Sequence, residues 1–517
     1  MKYIQKLIVK NKILITLFLI ALIKSVIFSY IGFGQVDEGE GLHNGQRILQ
    51  GEVPYRNFFA VFPPLHNYFY AYIFWIFGES VIIPRLMASV IFAFSPVLIF
   101  VIVRRFTNNF FAFLPAVLFI FVNINVERLF IFTPLFFSLC LLFKSLNIFN
   151  KRLAFWSGVS IGFASLFRID IPLAFVMSVT LVILAKYFLS PKKQMEQIKK
   201  LGLFILGYIF VMLGFGIWLL KNHLLNDFIQ NAIIDPILIT KAHDIPFPAV
   251  ISIIPFPMSL HAISQMHVAL FGYVILMIYG ITLWIVTRNY SFYFKKNYEI
   301  LIFFIAGLLC LPYVFGRSDM GHLVKGSLPC LFLGAYFLYR AYKHHKSKLL
   351  LGGLFVYSII LLGFFAESLW WVKFNDRTVT LGDKTLRVNS TYVSQTTVPT
   401  ALTLKKTYTF VTDNSKGGDT VLFLPYMAGM YYLVDRAAPS RFDNILSGYI
   451  VSPQQEQEFI KSLRQKNVKV IVYDPESGPK MEKQKFREYN PVIHEYIMKN
   501  YTVIDKSQEG WLFLLRK

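Results

Sequence analysis

The sequence predicts a polytopic α-helical membrane protein, with about eleven transmembrane helices followed by a small α/β domain outside the membrane. Three observations lead there. Of the 517 residues, 55% are hydrophobic and 53 are phenylalanine, with a mean hydropathy of +0.53. A soluble chain of this length has no interior able to take up so much apolar side chain. Apolar runs recur from Ile13 to about Phe365, and short Lys/Arg clusters separate them, the pattern that holds loops on the cytoplasmic side. The net charge of +23 is therefore no nucleic-acid footprint, because the basic residues form no single patch.

The elements follow in order. Lys2, Lys6, Lys10 and Lys12 lead into an apolar run to about Tyr30. It is long enough to cross a bilayer and no small-x-small cleavage site precedes Gly32, so it reads as an uncleaved first helix with a cytoplasmic N-terminus. A polar loop covers 31–80. Further spans are expected at about 81–103, 111–122, 130–143, 153–166, 172–189 and 201–220. A Pro- and His-rich loop from Lys221 to Gln265, a lid or a passive connector, precedes spans at about 267–286, 300–314, 328–338 and 349–365. With the N-terminus inside, almost every basic cluster becomes cytoplasmic and the C-terminal region lies outside.

The division is thus 1–366, transmembrane, and 367–517, a soluble extracytoplasmic domain. In the latter, VLFLP and KVIVYD read as buried strands, and YTVID and WLFLLRK as two closing ones. The segment after Ser452 reads as a capped helix. RTVTLGDKTLRV reads as a hairpin turning at Gly382-Asp383.

Chemistry concentrates in the first loop. Asp37 and Glu38 stand immediately beyond a membrane segment, where acids are costly unless water or a polar substrate meets them. Adjacent acids on a helix or turn point in different directions, so one can act as a base while the other orients it. Beyond Pro63-Pro64, YAYIFWIFG is too short and too aromatic for a span and reads as an interfacial helix. Cys140, Cys310 and Cys330 have no ligand or disulfide spacing. No cofactor and no metal site is expected.

A first span, then DEG, a helix, GxxPYxxFF, PPL, an aromatic run ending in FG, and a downstream Arg at position 85 resemble the first external loop of the C-type (GT-C) membrane glycosyltransferases. That group includes the protein O-mannosyltransferases and the enzyme that adds aminoarabinose to lipid A. The resemblance covers Val36 to Arg85. It implies a GT-C-like fold in the plasma (inner) membrane and transfer of a sugar from a polyprenyl-phosphate carrier to an acceptor hydroxyl on a glycan, lipid or protein. The motif's Asp, here Asp37, is then the general base, with Glu38 beside it. The lipid-phosphate leaving group calls for cations, and arginine's fork suits phosphate oxygens. Arg85, Arg168 and Arg317 are the candidates, with His322 and Asp319 near the last of these in sequence. For each Arg the alternative is an interfacial anchor or an ion pair with a neighbouring Asp. Glu127-Arg128 reads as a local ion pair.

Two other classes share the gross features. A transporter or flippase of lipid-linked glycans tends towards internal repeats, and none is evident. A non-catalytic envelope assembly protein would make the acidic pair incidental.

Overall fold

The computed structural model describes residues 11–122, 130–147, 150–189, 191–242, 260–289, 292–293, 297–316, 320–374, 377–388, 399–477 and 485–517. Each of the eleven expected apolar runs is helical: Lys12–Ser29, Ile82–Val103, Asn109–Phe121, Phe132–Asn147, Lys151–Ser165, Asp170–Leu189, Pro191–Lys221, Leu260–Arg288, Tyr298–Gly316, Leu328–Lys343 and Ser347–Phe374. Among the described residues, six helices contain a stretch long and apolar enough to cross a membrane, and three more are apolar but shorter. The chain is an integral membrane protein.

Two compact units divide the chain, and packing rather than chain order sets the division. The first comprises Met1–Val26, Leu86–Trp218 and Asp244–Leu369, and is built of apolar helices. Close helix contact there rests on small residues. A Cβ on Gly158 would lie 1.9 Å from the Phe204 carbonyl oxygen, and one on Gly207 would lie 2.1 Å from that of Phe155. These glycines let two helices meet backbone to backbone. Ser138 and Ser157 satisfy each other across a neighbouring pair, each donating to the other's carbonyl at 2.8 Å.

The second unit comprises Ile27–Arg85, Leu219–His243 and Trp370–Lys517, so the first loop and the C-terminal region are one packed body. Its strands are β1 (Arg377–Leu381), β2 (Lys384–Val388), β3 (Leu422–Leu424), β4 (Val470–Tyr473), β5 (Tyr501–Lys506) and β6 (Leu512–Arg516). The first two form the expected antiparallel hairpin, and Gly382 takes the positive φ (61°) that its turn requires. The other four form a sheet in the order β3-β4-β6-β5, with β3 and β4 parallel and the remaining pairs antiparallel. Side chains alternate across it. Phe423, Val470, Val472 and Phe513 enter one core with Leu42, Tyr70 and Phe74 of the first loop. Leu422, Leu424, Ile471 and Leu514 enter a second core with Phe459, Ile460 and Ile497. The Pro453–Gln465 helix begins in a capping box between Ser452 and Gln455.

The expected loop from Lys221 is regular in its first half. It forms helices Leu225–Ile229 and Asp235–Ala242, joined by a π-helical turn. Its proline-rich half, 243–259, lies outside the described residues.

Candidate active site

The first loop folds into a 13-residue helix, Asp37–Leu49, whose first turn carries Asp37, Glu38 and Glu40. The partial positive charge at a helix N-terminus favours carboxylates there by about 0.3–1 kcal/mol each. The adjacent acids diverge as expected. Asp37 is exposed, whereas Glu38 is buried.

Glu38 and Arg85, both singled out from the sequence, meet in a buried fork. Arg85 donates from Nε to one Glu38 carboxylate oxygen and from Nη2 to the other at 2.7 Å. The Gly34 N–H adds a bond at 2.9 Å. The same guanidinium donates to the carbonyls of Ser29 at 2.8 Å and Gly32 at 2.9 Å. The pair thereby ties the start of the acidic helix to the chain entering it and to the start of the Ile82–Val103 helix.

A third carboxylate escaped the sequence reading. Glu40 lies one turn from Asp37, and its Oε2 accepts a bond of 2.9 Å from Asn444 Nδ2. Asn444 is itself held, because its Oδ1 accepts the Ala428 N–H at 3.0 Å. Glu40 is half-buried, and its loss of hydration pushes the carboxyl up to about 7; the Asn444 bond opposes this and the Asp443 charge adds to it.

The next turns continue the same face. His43 stacks on Tyr431, centroids 5.0 Å apart, and its Nε2 stands 3.8 Å from Asp443 Oδ1. Burial pushes the imidazole pKa down, favouring the neutral ring, while the Asp443 charge opposes this. Arg47 donates to Asp443 at 2.6 Å, to Glu52 at 2.5 Å and to the Asn57 carbonyl at 2.8 Å. The spacing Glu40, His43, Arg47 was a visible signal, since residues three and seven apart share a helix face. Their partners were not visible.

Glycines allow this close approach. A Cβ on Gly39 would lie 2.3 Å from Gly429 Cα, and Cβ atoms on Gly41 and Gly45 would collide with Tyr70. The Gly429 N–H donates to the Gln35 carbonyl at 2.7 Å. Tyr70 lies in the Leu65–Phe77 helix, which faces two ways. Tyr70 is 1% and Phe74 3% exposed, while Tyr72 is 60% and Trp75 72% exposed.

The PYRNFF motif is held from two sides. Tyr55 adopts a left-handed conformation (φ 72°), and its carbonyl accepts from Asn231 Nδ2 and from Arg441 Nη2, each at 3.2 Å. Arg441 also donates to Asn231 Oδ1 at 2.7 Å.

The remaining candidates belong to the helical unit. Arg168 is buried and forks onto Asp170, with Nε to Oδ1 at 2.8 Å and Nη2 to Oδ2 at 2.9 Å. The ion-pair alternative is thus present there. Lys325, passed over in the sequence, is also buried and lies within electrostatic reach of Asp170. His322 is half-buried on the same short helix, Met320–Gly326. Arg317, Asp319 and the Glu127-Arg128 pair lie outside the described residues. Among the described residues, no three His, Cys, Asp or Glu side chains gather as a metal site.

No known family's sequence profile matches the chain, and no curated protein matches it. Solved structures do. The chain is similar to ArnT from Cupriavidus metallidurans bound to undecaprenyl phosphate, with a TM-score of 0.57, 11% identity and 98% of each chain covered. The archaeal oligosaccharyltransferase AglB from Archaeoglobus fulgidus, in complex with an inhibitory peptide and a dolichol-phosphate, gives 0.48 at 12% identity, covering 98% of this chain and 74% of its own. The mycobacterial arabinofuranosyltransferase AftD gives 0.42 at 11% identity, covering 98% and 40%. The chain shares the fold of the first of these, a polytopic membrane protein, over its whole length.

Proposed function

We propose that the protein is an inverting glycosyltransferase that moves a sugar from a polyprenyl-phosphate carrier to an acceptor hydroxyl, with Asp37 as general base. The observation that carries this reading is an exposed carboxylate on the first turn of a helix whose neighbours on both sides are held. Glu38 is fixed by Arg85 and Glu40 by Asn444. A preorganised base of this kind contributes about 10²–10⁴-fold to proton transfer. The fold shared with an undecaprenyl-phosphate-bound protein supports a lipid-phosphate donor.

In the proposed reaction the acceptor O–H proton passes to an Asp37 carboxylate oxygen as the acceptor oxygen bonds to the anomeric carbon. The bond from that carbon to the phosphate oxygen breaks, and its electron pair leaves with the lipid phosphate. Back-side attack inverts the anomeric centre. Arg168 and Arg317 are the proposed cations for the departing phosphate, with His322 and Asp319 as lesser contributors. Glu38 and Arg85 support the base rather than touch substrate. A monophosphate donor requires no metal in this scheme, so transfer is expected to survive a chelator.

The reading further places about eleven helices across the plasma (inner) membrane, the N-terminus in the cytoplasm and residues 367–517 outside. The Tyr72 and Trp75 face of the Leu65–Phe77 helix then lies along the lipid headgroups. The test uses the purified full chain in proteoliposomes with undecaprenyl-phosphate-linked mannose, glucose, galactose or aminoarabinose, a membrane-glycolipid extract as acceptor, and release of undecaprenyl phosphate as the signal. Wild-type release by a folded Asp37→Asn variant would end the assignment of the base.

A further inference from the structure

Three carboxylates crowd the first turn of the acidic helix, and the proposed mechanism uses one directly. Glu38 is committed to Arg85. Glu40 is different: among the described residues no arginine pairs with it, and its hydrogen-bond partner is the neutral amide of Asn444. It lies three residues from Asp37, which on a helix puts the two Cβ atoms about 5–6 Å apart. Asn444 joins the two ends of this turn. Its Nδ2 reaches Glu40 Oε2 at 2.9 Å and the Val36 carbonyl, immediately before Asp37, at 3.5 Å. Its Oδ1 is anchored on the Ala428 backbone. That rigidity comes from a residue 404 positions further along the chain.

We propose that Glu40, clamped by Asn444, is a positioning residue for Asp37 that sets the strength of the base through its own negative charge. This rests on the reading of Asp37 as base. A like charge one turn away disfavours ionisation of Asp37 and so makes its carboxylate a better proton acceptor. Asn444 and Asp443 act on Glu40 from the C-terminal region, and Glu40 acts on Tyr449; Asp37 and His43 stand three residues before and after it on its own helix. None of these carries a fixed positive charge. The nearest such charge along the face is Arg47, two turns on, which is committed to Asp443, Glu52 and the Asn57 carbonyl. Glu40 changes charge near neutral pH, so the base is expected to strengthen as pH rises through that range.

The experiment compares wild type, Glu40→Gln, Glu40→Asp and Asp37→Asn as full-length chains in proteoliposomes. It uses the lipid-phosphate sugar turned over in the donor assay and records kcat and KM from pH 5.5 to 8.5. Glu40→Gln keeps an oxygen for Asn444 but cannot ionise. It is expected to match wild type below pH 6, to lose the rise in kcat around pH 7 and to fall about tenfold behind at pH 8, with KM unchanged. Glu40→Asp is expected to restore part of the rise. A wild-type profile in Glu40→Gln, with Asp37→Asn inactive, overturns the role of Glu40 and leaves the base standing. Wild-type activity in Asp37→Asn overturns both. An equal loss in Glu40→Gln at every pH reduces Glu40 to a packing residue and overturns the inference.

Discussion

The two buried arginine–carboxylate forks differ in how far apart along the chain their partners lie. Arg168 pairs with Asp170, two residues on, and the side chain of that partner is 42% exposed. Arg85 pairs with Glu38, 47 residues away, and that side chain is 2% exposed. The first fork closes a local turn. The second joins separate segments in a dry interior, where both charges have lost their hydration and each depends on the other. A local pair forms between neighbours in the chain and joins no distant segments. A buried long-range pair is architecture, and here it holds the turn that bears Asp37.

The largest expected effect is on chemistry alone. Asp37→Asn is expected to lower transfer by about 10²–10⁴-fold without moving the thermal unfolding of the solubilised chain. An equal loss of folding would move Asp37 to the architectural side of the comparison. Next comes the buried fork. Arg85→Met strands Glu38 and is expected to cost about 3–5 kcal/mol, read as lowered thermal stability. Adding Glu38→Gln should recover part of it.

Arg168→Gln is expected to cost less than Arg85→Met, because the fork it breaks is local and its partner is less enclosed than Glu38. It should instead weaken binding of undecaprenyl phosphate, measured on the purified chain. If it destabilises as much as Arg85→Met, the contrast between the forks fails. Gly39→Ala drives a methyl group into the Gly429 backbone and is expected to cost about 1–3 kcal/mol.

The smallest effect is a pH dependence. The Glu40 carboxyl titrates near 7 in the folded chain against an ordinary 4.5. Below that ordinary value both states hold the proton and nothing changes. Between 4.5 and about 7 the unfolded chain releases it first, so stability falls as pH rises, and then levels off. Glu40→Gln should flatten the fall in unfolding temperature between pH 5 and 8.

What the sequence determined by itself is the local part. Apolar runs became helices, the Ser452–Gln455 cap started its helix, and Gly382 turned its hairpin. Each of these needs only neighbours within a few residues, so periodicity and turn chemistry display it. The divergence of Asp37 and Glu38 was legible for the same reason. Tertiary structure alone decided which partner each acid received. Asn444 for Glu40 and Asp443 for Arg47 come from 404 and 396 residues away. No spacing rule reaches that far, because the pairing follows from the Gly39–Gly429 backbone approach and a core shared by Leu42, Tyr70, Phe423 and Tyr431. Burial, and with it the shift in Glu40, exists only once those surfaces have met.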